Sequence, residues 1–315
     1  MTEVQLRPML AAKFDEAKVA KHLAEDGLLL VQPKIDGMRV LLDSGVPRSR
    51  SWKEWTNRAI RTWAADVGVF GHGWDGEMIP GLKNDPNVFR DAMSLMRAED
   101  GGTEFTYYLF DNYLLPGIAY QDRQKHLRAK VQEEVMQGSN YTVKVVHCPT
   151  EEVLTMEELY AKEAEYLEAG WEGLIIRRRL SGYKYNRATP SDGWLTKMKR
   201  FEDAEARIIG VEPRYHNANE ATTSALGYTA RSAHKENLVA EECLGAFQVE
   251  LIGKPDVKFN IGVLKGVTLG DKEKMWQRRE ELIGHIITFK HQGYGGGYDA
   301  PRTPVFYSFR DPIEL

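Results

Sequence analysis

Segment 32–39, which reads QPKIDGMR, contains residue types that could carry out covalent chemistry. Lys34 follows an apolar run, Asp36 stands two residues later, and Gly37 occupies the expected turn. A lysine amine becomes a nucleophile when it loses its proton near neutral pH, and burial or neighbouring cations lower its pKa. The short KxDG pattern also recurs in exposed turns, so by itself it would predict an ordinary surface lysine.

Further polar segments follow in order along the chain and favour chemistry over a solvent-exposed turn. They are Ser49-Arg50, Asp75-Gly76-Glu77, 108–111 (YLFD), 172–177 (EGLIIR), 183–187 (YKYNR) and 194–199 (WLTKMK). Residues two apart on a strand project from the same face. Lys197 and Lys199 are therefore expected to project together, which suits a polyphosphate better than a hydrophobic core.

Hydrophobic patterning predicts the elements that must position these residues. Strands are predicted at 27–32, 38–42, 74–79, 105–111, 172–178 and 194–200, and helices at 58–65, 86–96, 121–136 and 156–169. After about residue 201, strands at 206–211, 245–252, 257–263, 285–291 and 305–309 with one helix at 272–283 are typical of an OB-type barrel. Between its first two strands lies a long polar segment, 214–242, and a loop of that length is usually functional or disordered.

Length and composition restrict the class of protein. The 315 residues predict two domains, and the change of pattern after about residue 201 places them at 1–201 and 202–315. The net charge of -4, from 42 basic and 46 acidic residues, requires that any nucleic-acid binding use a local basic patch. Cys148 and Cys243 form no disulfide scaffold or zinc ribbon, which fits a reducing cytoplasm. No long apolar run predicts a transmembrane helix, and residues 1–13 lack the apolar centre of a signal peptide.

The ordered segments resemble the covalent nucleotidyltransferase superfamily of DNA ligases, RNA ligases and mRNA capping enzymes. Within it, the chain looks like a minimal ATP-dependent DNA ligase of the viral and phage type. The resemblance extends through 184–209, 226–228, 231–235, 259–262 and 301–306. It implies an α+β fold, with an ATP-grasp-like nucleotidyltransferase core of antiparallel sheets and helices followed by a C-terminal OB-fold β-barrel.

The resemblance also implies the reaction and its participants. A lysine attacks the ATP α-phosphate, AMP passes to the 5′-phosphate of a nick in duplex DNA, and the 3′-hydroxyl then displaces AMP. The expected cofactors are ATP and Mg²⁺, with Mn²⁺ as an alternative, and ATP is favoured over NAD⁺ because NAD-using ligases are much longer. We expect a monomer in the cytoplasm, which would be that of the host cell if the protein is viral. We expect neither an obligate protein partner nor membrane binding, and a role in DNA repair, replication or recombination.

Roles for individual residues follow from the same resemblance. Lys34 would be the adenylylated nucleophile, and Asp36 would assist its activation or contact the sugar. Glu172 would hold the metal ion, because hard cations prefer carboxylate oxygen. The other nucleotide-binding residues would be Gln32 at the adenine amino group, Phe110 stacked on adenine, Glu77 at the ribose, Arg39, Arg50 and Arg187 near the nucleotide or nick phosphate, and Lys197 and Lys199 at the α-phosphate.

Simpler interpretations stay open for three of these residues, because Glu77 and Glu172 could also be exposed acids and Phe110 could be a core aromatic residue.

The resemblance also implies that residues 214–242 form a β-hairpin latch around the duplex. Its phosphate contacts would be Arg231, His234 and Lys235, and Arg302 of the C-terminal motif would orient pyrophosphate.

Alternative functions share the chemistry or only the fold. An RNA ligase or a GTP-using capping enzyme would use the same lysyl-nucleotidyl intermediate. Capping enzymes carry Asp where this chain has Glu172, and a latch-like segment in a full OB domain disfavours an RNA ligase. A non-catalytic DNA-binding OB protein would be expected to have lost Lys34, which is present.

Overall fold

The computed structural model describes residues 7–81, 88–102, 104–136, 143–199, 201–223, 229–231, 237–294 and 299–310. The chain divides into two compact units, Met1–Lys199 and Arg200–Leu315. No helix within the described ranges is long and apolar enough to cross a membrane.

The first unit contains both strands and helices. Its elements are β1 (Ala12–Lys13), α1 (Glu16–Asp26), β2 (Leu29–Pro33), β3 (Met38–Asp43), β4 (Val46–Arg48), α2 (Arg58–Val67), β5 (Trp74–Pro80), α3 (Val88–Arg97), β6 (Phe105–Asn112), α4 (Tyr120–Met136), β7 (Val143–His147), β8 (Glu151–Val153), α5 (Met156–Glu168), β9 (Leu174–Arg178) and β10 (Thr196–Met198). Helix α5 begins where predicted, because the Thr155 side chain accepts from the Glu158 N–H at 3.1 Å.

Two five-stranded sheets form the framework of this unit. The first has the order β1-β10-β9-β2-β8 and the second β4-β3-β5-β6-β7. The prediction of antiparallel sheets is wrong in one pair of each sheet, since β1–β10 and β6–β7 are parallel. Parallel neighbours are joined by long connections rather than hairpins, so local sequence patterns do not reveal them. The sheets are therefore mixed.

Separate apolar clusters cover the two sheets. Trp63 and Trp74 are 1% exposed in the cluster on the second sheet. Val31 and Leu174 are fully buried in the cluster on the first sheet. Burial of such side chains holds the sheets rigid and fixes the strand ends that carry the polar segments.

The second unit is mostly β structure. Its elements are β11 (Glu202–Asn217), β12 (Ala221–Thr223), β13 (Thr229–Arg231), β14 (Leu238–Leu251), β15 (Lys254–Ile261), β16 (Val263–Leu264), α6 (Leu269–Gln277), α7 (Arg279–Leu282), β17 (Ile286–His291) and β18 (Val305–Phe309). Six strands form a sheet in the order β15-β14-β11-β17-β18-β16. No ladder joins β15 to β16 within the described part of the chain, so no closed barrel is seen.

Some predicted boundaries are wrong. The strand predicted at 194–200 is only Thr196–Met198, and the helix predicted at 272–283 is divided at Arg278 into α6 and α7. Helix α1 is an additional element, which was not predicted because only three of its residues are buried, namely Val19, His22 and Leu23.

The two ends of the polar segment 214–242 extend the long β11–β14 ladder. The register continues through Tyr215–Ala240, His216–Val239 and Asn217–Leu238. Beyond it, β12 and β13 form a separate antiparallel pair.

Candidate functional site

Lys34 and Glu172 are held side by side by backbone hydrogen bonds that continue the β2–β9 ladder. Pro33 lies opposite Leu174 in this antiparallel pair. Immediately after β2, the Lys34 N–H donates to the Gly173 carbonyl at 2.8 Å, and the Glu172 N–H donates to the Lys34 carbonyl at 3.0 Å. The sheet thus brings together two motifs that are 138 residues apart in the chain.

Two glycines allow the close backbone approaches around this pair. Gly173 has a φ of +146°, and a Cβ there would lie 2.4 Å from the Met198 carbonyl oxygen. A Cβ on Gly37 would lie 2.4 Å from the Met78 carbonyl oxygen. Both glycines are therefore required for packing of the motif backbones against neighbouring strands.

The Glu172 carboxylate joins two lysines. Its Oε2 pairs with Lys34 Nζ and its Oε1 pairs with Lys199 Nζ, and the Glu172 side chain is only 9% exposed. Lys197 lies opposite Ile175 in the β9–β10 register, and both residues line a cavity. Lys34 directly follows β2, and Lys197 and Lys199 lie on or directly after β10, so the three lysines flank β9 in the first sheet.

The cavity next to Lys34 has a volume of about 870 Å³ and is rich in cations. Its lining includes seven cationic residues and two acids, Glu54 and Glu77. The cations are Lys34, Arg39, Arg50, Lys53, Arg97, Arg177 and Lys197. A protein of net negative charge therefore concentrates positive charge at one concave surface, as anion binding requires.

Two lining residues of the cavity, Gln32 and Phe110, have side chains suited to a planar base. Gln32 is 2% exposed, and its Nε2 donates to Thr150 Oγ1 at 2.9 Å. Phe110 also lines the cavity and is the extra residue of a bulge, since Asp75 faces Asp111 while Gly76 faces Leu109. Bulges redirect side chains beside functional sites.

Arg39 lines the cavity while its guanidinium is held by a buried acid. Its Nε and Nη2 donate to the two Asp75 carboxylate oxygens at 2.8 and 2.5 Å, and its Nη1 donates to the Met9 carbonyl at 2.7 Å. The Tyr183 hydroxyl donates to Asp75 Oδ2 at 2.7 Å. The Arg39 guanidinium carbon lies 5.3 Å from the centre of the Phe110 ring. Most of its donors are therefore used inside the protein.

Glu77 is opposite Arg39 in the β3–β5 register and also lines the cavity. Burial raises the pKa of its carboxyl to about 7, while the charges of Lys34 and Arg39 oppose that rise. Asp75 and Asp36 raise the pKa of Glu77 further. This carboxyl therefore changes its charge near neutral pH.

The other predicted site residues lie elsewhere or outside the described residues. Asp36 is near enough to influence Glu77 but is absent from the lining of the cavity. Arg187 is exposed, and its Nη1 donates to the Ala11 carbonyl at 2.9 Å. In the second unit, the Arg302 backbone pairs with Gln292 and Gly293, and Arg231 belongs to β13. His234 and Lys235 lie outside the described residues.

A buried cluster of two arginines and an acid was not predicted. Arg123 Nε pairs with Asp111 Oδ1 at 2.7 Å, and Arg177 Nη1 lies 2.9 Å from Asp111 Oδ2. Of these three residues, Arg177 also lines the cavity. Its position two residues after Ile175 on β9 is the signal in the sequence, because alternate residues share a face.

Residues 8–199 match the family model described as ATP dependent DNA ligase domain. The chain belongs to the ATP-dependent DNA ligase family. The predictions of an ATP-dependent DNA ligase and of ATP as its nucleotide are confirmed by this match.

Solved structures of ligases resemble the whole chain. Chlorella virus DNA ligase-adenylate is 26% identical, with a TM-score of 0.53, and the match covers 96% of this chain and 99% of that chain. A Lig E DNA ligase is 20% identical with a TM-score of 0.65, covering 98% and 100%. The ATP complex of bacteriophage T7 ATP-dependent DNA ligase is 17% identical with a TM-score of 0.50, covering 96% and 98%. The last two support the fold alone. No match was found among curated protein sequences.

Proposed function

We propose that this ligase seals nicks bearing a 3′-hydroxyl and a 5′-phosphate in duplex DNA through a covalent lysyl-AMP at Lys34. The observation that carries the proposal is the Lys34 ammonium, paired with Glu172, at the edge of a cation-rich cavity. The volume of about 870 Å³ is within the usual range for ligand pockets, which is about 300–1,000 Å³.

The arrangement of the lining supports one orientation of ATP. The adenine would lie against Phe110 and accept or donate hydrogen bonds at Gln32, because a side-chain amide can do both. Glu77 would accept from a ribose hydroxyl. The phosphates would then lie towards Lys34 and Lys197, with Arg50 as a further cation.

The first step forms a bond between Lys34 Nζ and the α-phosphorus and breaks the bond to the bridging oxygen, so that pyrophosphate leaves with the electron pair. Lys34 must first lose a proton, and Glu172 is the carboxylate that contacts its amine. Lys197 and Lys199 would stabilise the charge that develops on the phosphates. Because phosphoryl transfer proceeds in line, positioning of these groups supplies most of the catalysis.

Two further transfers complete the reaction. An oxygen of the nick 5′-phosphate attacks the lysyl-bound phosphorus, and the nitrogen–phosphorus bond breaks. The 3′-hydroxyl then attacks the 5′-phosphorus, and AMP leaves. Arg39 would act mainly by stiffening this side of the cavity through Asp75, and Asp36 by its charge beside Glu77.

The donor set fits a divalent cation that ATP brings with it. No group of three or more His, Cys, Asp or Glu side chains able to hold a metal occurs among the described residues. Mg²⁺ is usually bound by one or two carboxylates together with substrate phosphates and water, so Glu172 would be its protein ligand once one of the two lysines paired with it moves away. The bound ion would neutralise charge on the phosphates.

We further propose that the second unit is an OB-fold domain. Its six-stranded sheet and its extended β11–β14 ladder support a DNA-binding barrel with a hairpin latch. Arg231, His234 and Lys235 of the latch would meet DNA phosphates, and Arg302 would contact pyrophosphate.

Incubation with ATP that is radiolabelled at the α-phosphate, followed by a denaturing gel, tests the proposal. The wild-type protein should become labelled by ATP and not by GTP, and Lys34→Ala should abolish labelling. Lys125→Ala, which alters a lysine side chain that is 77% exposed on α4, serves as the matched control and should label normally. A second assay offers the protein either nicked DNA or nicked RNA, and only the nicked DNA should be sealed. Labelling of Lys34→Ala would refute the nucleophile.

A further inference from the structure

The β1–β10 edge of the first sheet carries a lysine to which no role has been given above. Lys13 is the in-register partner of Lys197 in this parallel pair. Residues paired in neighbouring strands project from the same face of a sheet. Since Lys197 and Ala11 both line the cavity, Lys13 projects from the cavity face at its outer edge.

Arg187 is attached to the same edge. Its Nη1 donates to the Ala11 carbonyl at 2.9 Å, and the next residue, Ala188, donates its N–H to the Leu10 carbonyl at 2.8 Å. These bonds hold the guanidinium beside the chain that leads into Lys13.

Lys13 and Arg187 are close enough to Lys197 to affect its charge, and none of the three forms an ion pair with a carboxylate of the described residues. Burial lowers the pKa of the Lys197 ammonium, and four neighbouring cations lower it further. Those four are Lys34, Arg187, Lys13 and Arg50. In the described ranges, no carboxylate oxygen lies within 4.0 Å of the side-chain nitrogens of Lys13, Arg187 or Lys197. Adjacent like charges on a sheet are unfavourable unless an anion compensates them.

We infer that Lys13, Arg187 and Lys197 form a phosphate-binding strip, in which Lys13 contacts a DNA phosphate beside the nick. The inference rests on the proposed function. Lys197 is half-buried, while Lys13 and Arg187 are exposed to solvent. This difference favours a phosphate of DNA over one of ATP as the partner of Lys13. A duplex is too large to enter the cavity, so its phosphates approach from the exposed end of the strip.

The experiment measures binding of a nicked duplex at several salt concentrations, with and without prior incubation of the protein with ATP. Lys13→Gln removes the charge and Lys13→Arg retains it. Lys125→Gln is the control that removes one exposed charge from α4. Labelling by ATP without DNA is measured in parallel, and it reports on a contact with the phosphates of ATP.

Lys13→Gln should weaken DNA binding by about two- to five-fold. It should also reduce the slope of log affinity against log salt by about 0.9, the value for one lost phosphate contact. Lys13→Arg should bind like the wild type, and all variants should label with ATP at the wild-type rate. An unchanged salt slope for Lys13→Gln overturns the inference. Slower labelling of Lys13→Gln with unchanged DNA binding also overturns it, because that result would assign the lysine to ATP. If the wild type fails to label while Lys13→Gln still lowers the slope, the proposed function fails and the DNA contact stands.

Discussion

Replacing Glu77 with Gln should stabilise the nucleotide-free protein, and the gain should increase with pH. Burial raises the pKa of this carboxyl to about 7 from an ordinary value of 4.5. Well below pH 4.5 the carboxyl is protonated in both the folded and the unfolded chain, so its ionisation does not affect the free energy of unfolding. Between the two pKa values only the unfolded chain ionises, and above pH 7 the folded protein must also ionise this half-buried carboxyl. The gain for Glu77→Gln is therefore about 1 kcal/mol at pH 5 and about 3 kcal/mol at pH 8.

Urea unfolding at these two pH values measures the effect. Glu54→Gln is the matched control, because Glu54 also lines the cavity but is 49% exposed and pairs with Arg61 at 3.3 Å. The control should change stability by no more than about 0.5 kcal/mol. Equal gains for Glu77→Gln at both pH values, or no gain at either, would refute the reasoning from burial. Weaker labelling of Glu77→Gln by ATP would separately support its contact with the ribose.

Three further substitutions test the framework of the site by urea unfolding. Asp75→Asn should destabilise the protein by about 3–5 kcal/mol, because it leaves the Arg39 guanidinium without its buried partner; a change below 1 kcal/mol would contradict this. Gly173→Ala should both destabilise the protein and slow ATP labelling, since its Cβ would lie 2.4 Å from the Met198 carbonyl oxygen; wild-type labelling would disprove the packing argument. Phe247→Ala should cost about 3–5 kcal/mol in the second unit, where this ring is fully buried; an unchanged unfolding transition would count against that core.

Local patterns were sufficient to predict most of the main strands and helices of the first unit. The run before Lys34 is apolar and ends at a turn, and these features are set by near neighbours. Helix α1 and the parallel pairs β1–β10 and β6–β7 were not predictable in this way. The helix buries few residues, and each parallel pair depends on strands that are distant in the chain.

The amino-acid order alone determined the residue types available for lysyl chemistry and the strands or turns that carry most of them. Tertiary structure decided which of these side chains meet. Glu172 joins Lys34 to Lys199, Asp75 immobilises Arg39, and Lys13 stands beside Lys197. The physical reason is that local conformation depends on neighbours in sequence. Charge pairing and burial depend on strand register and on packing between segments that lie far apart in the chain.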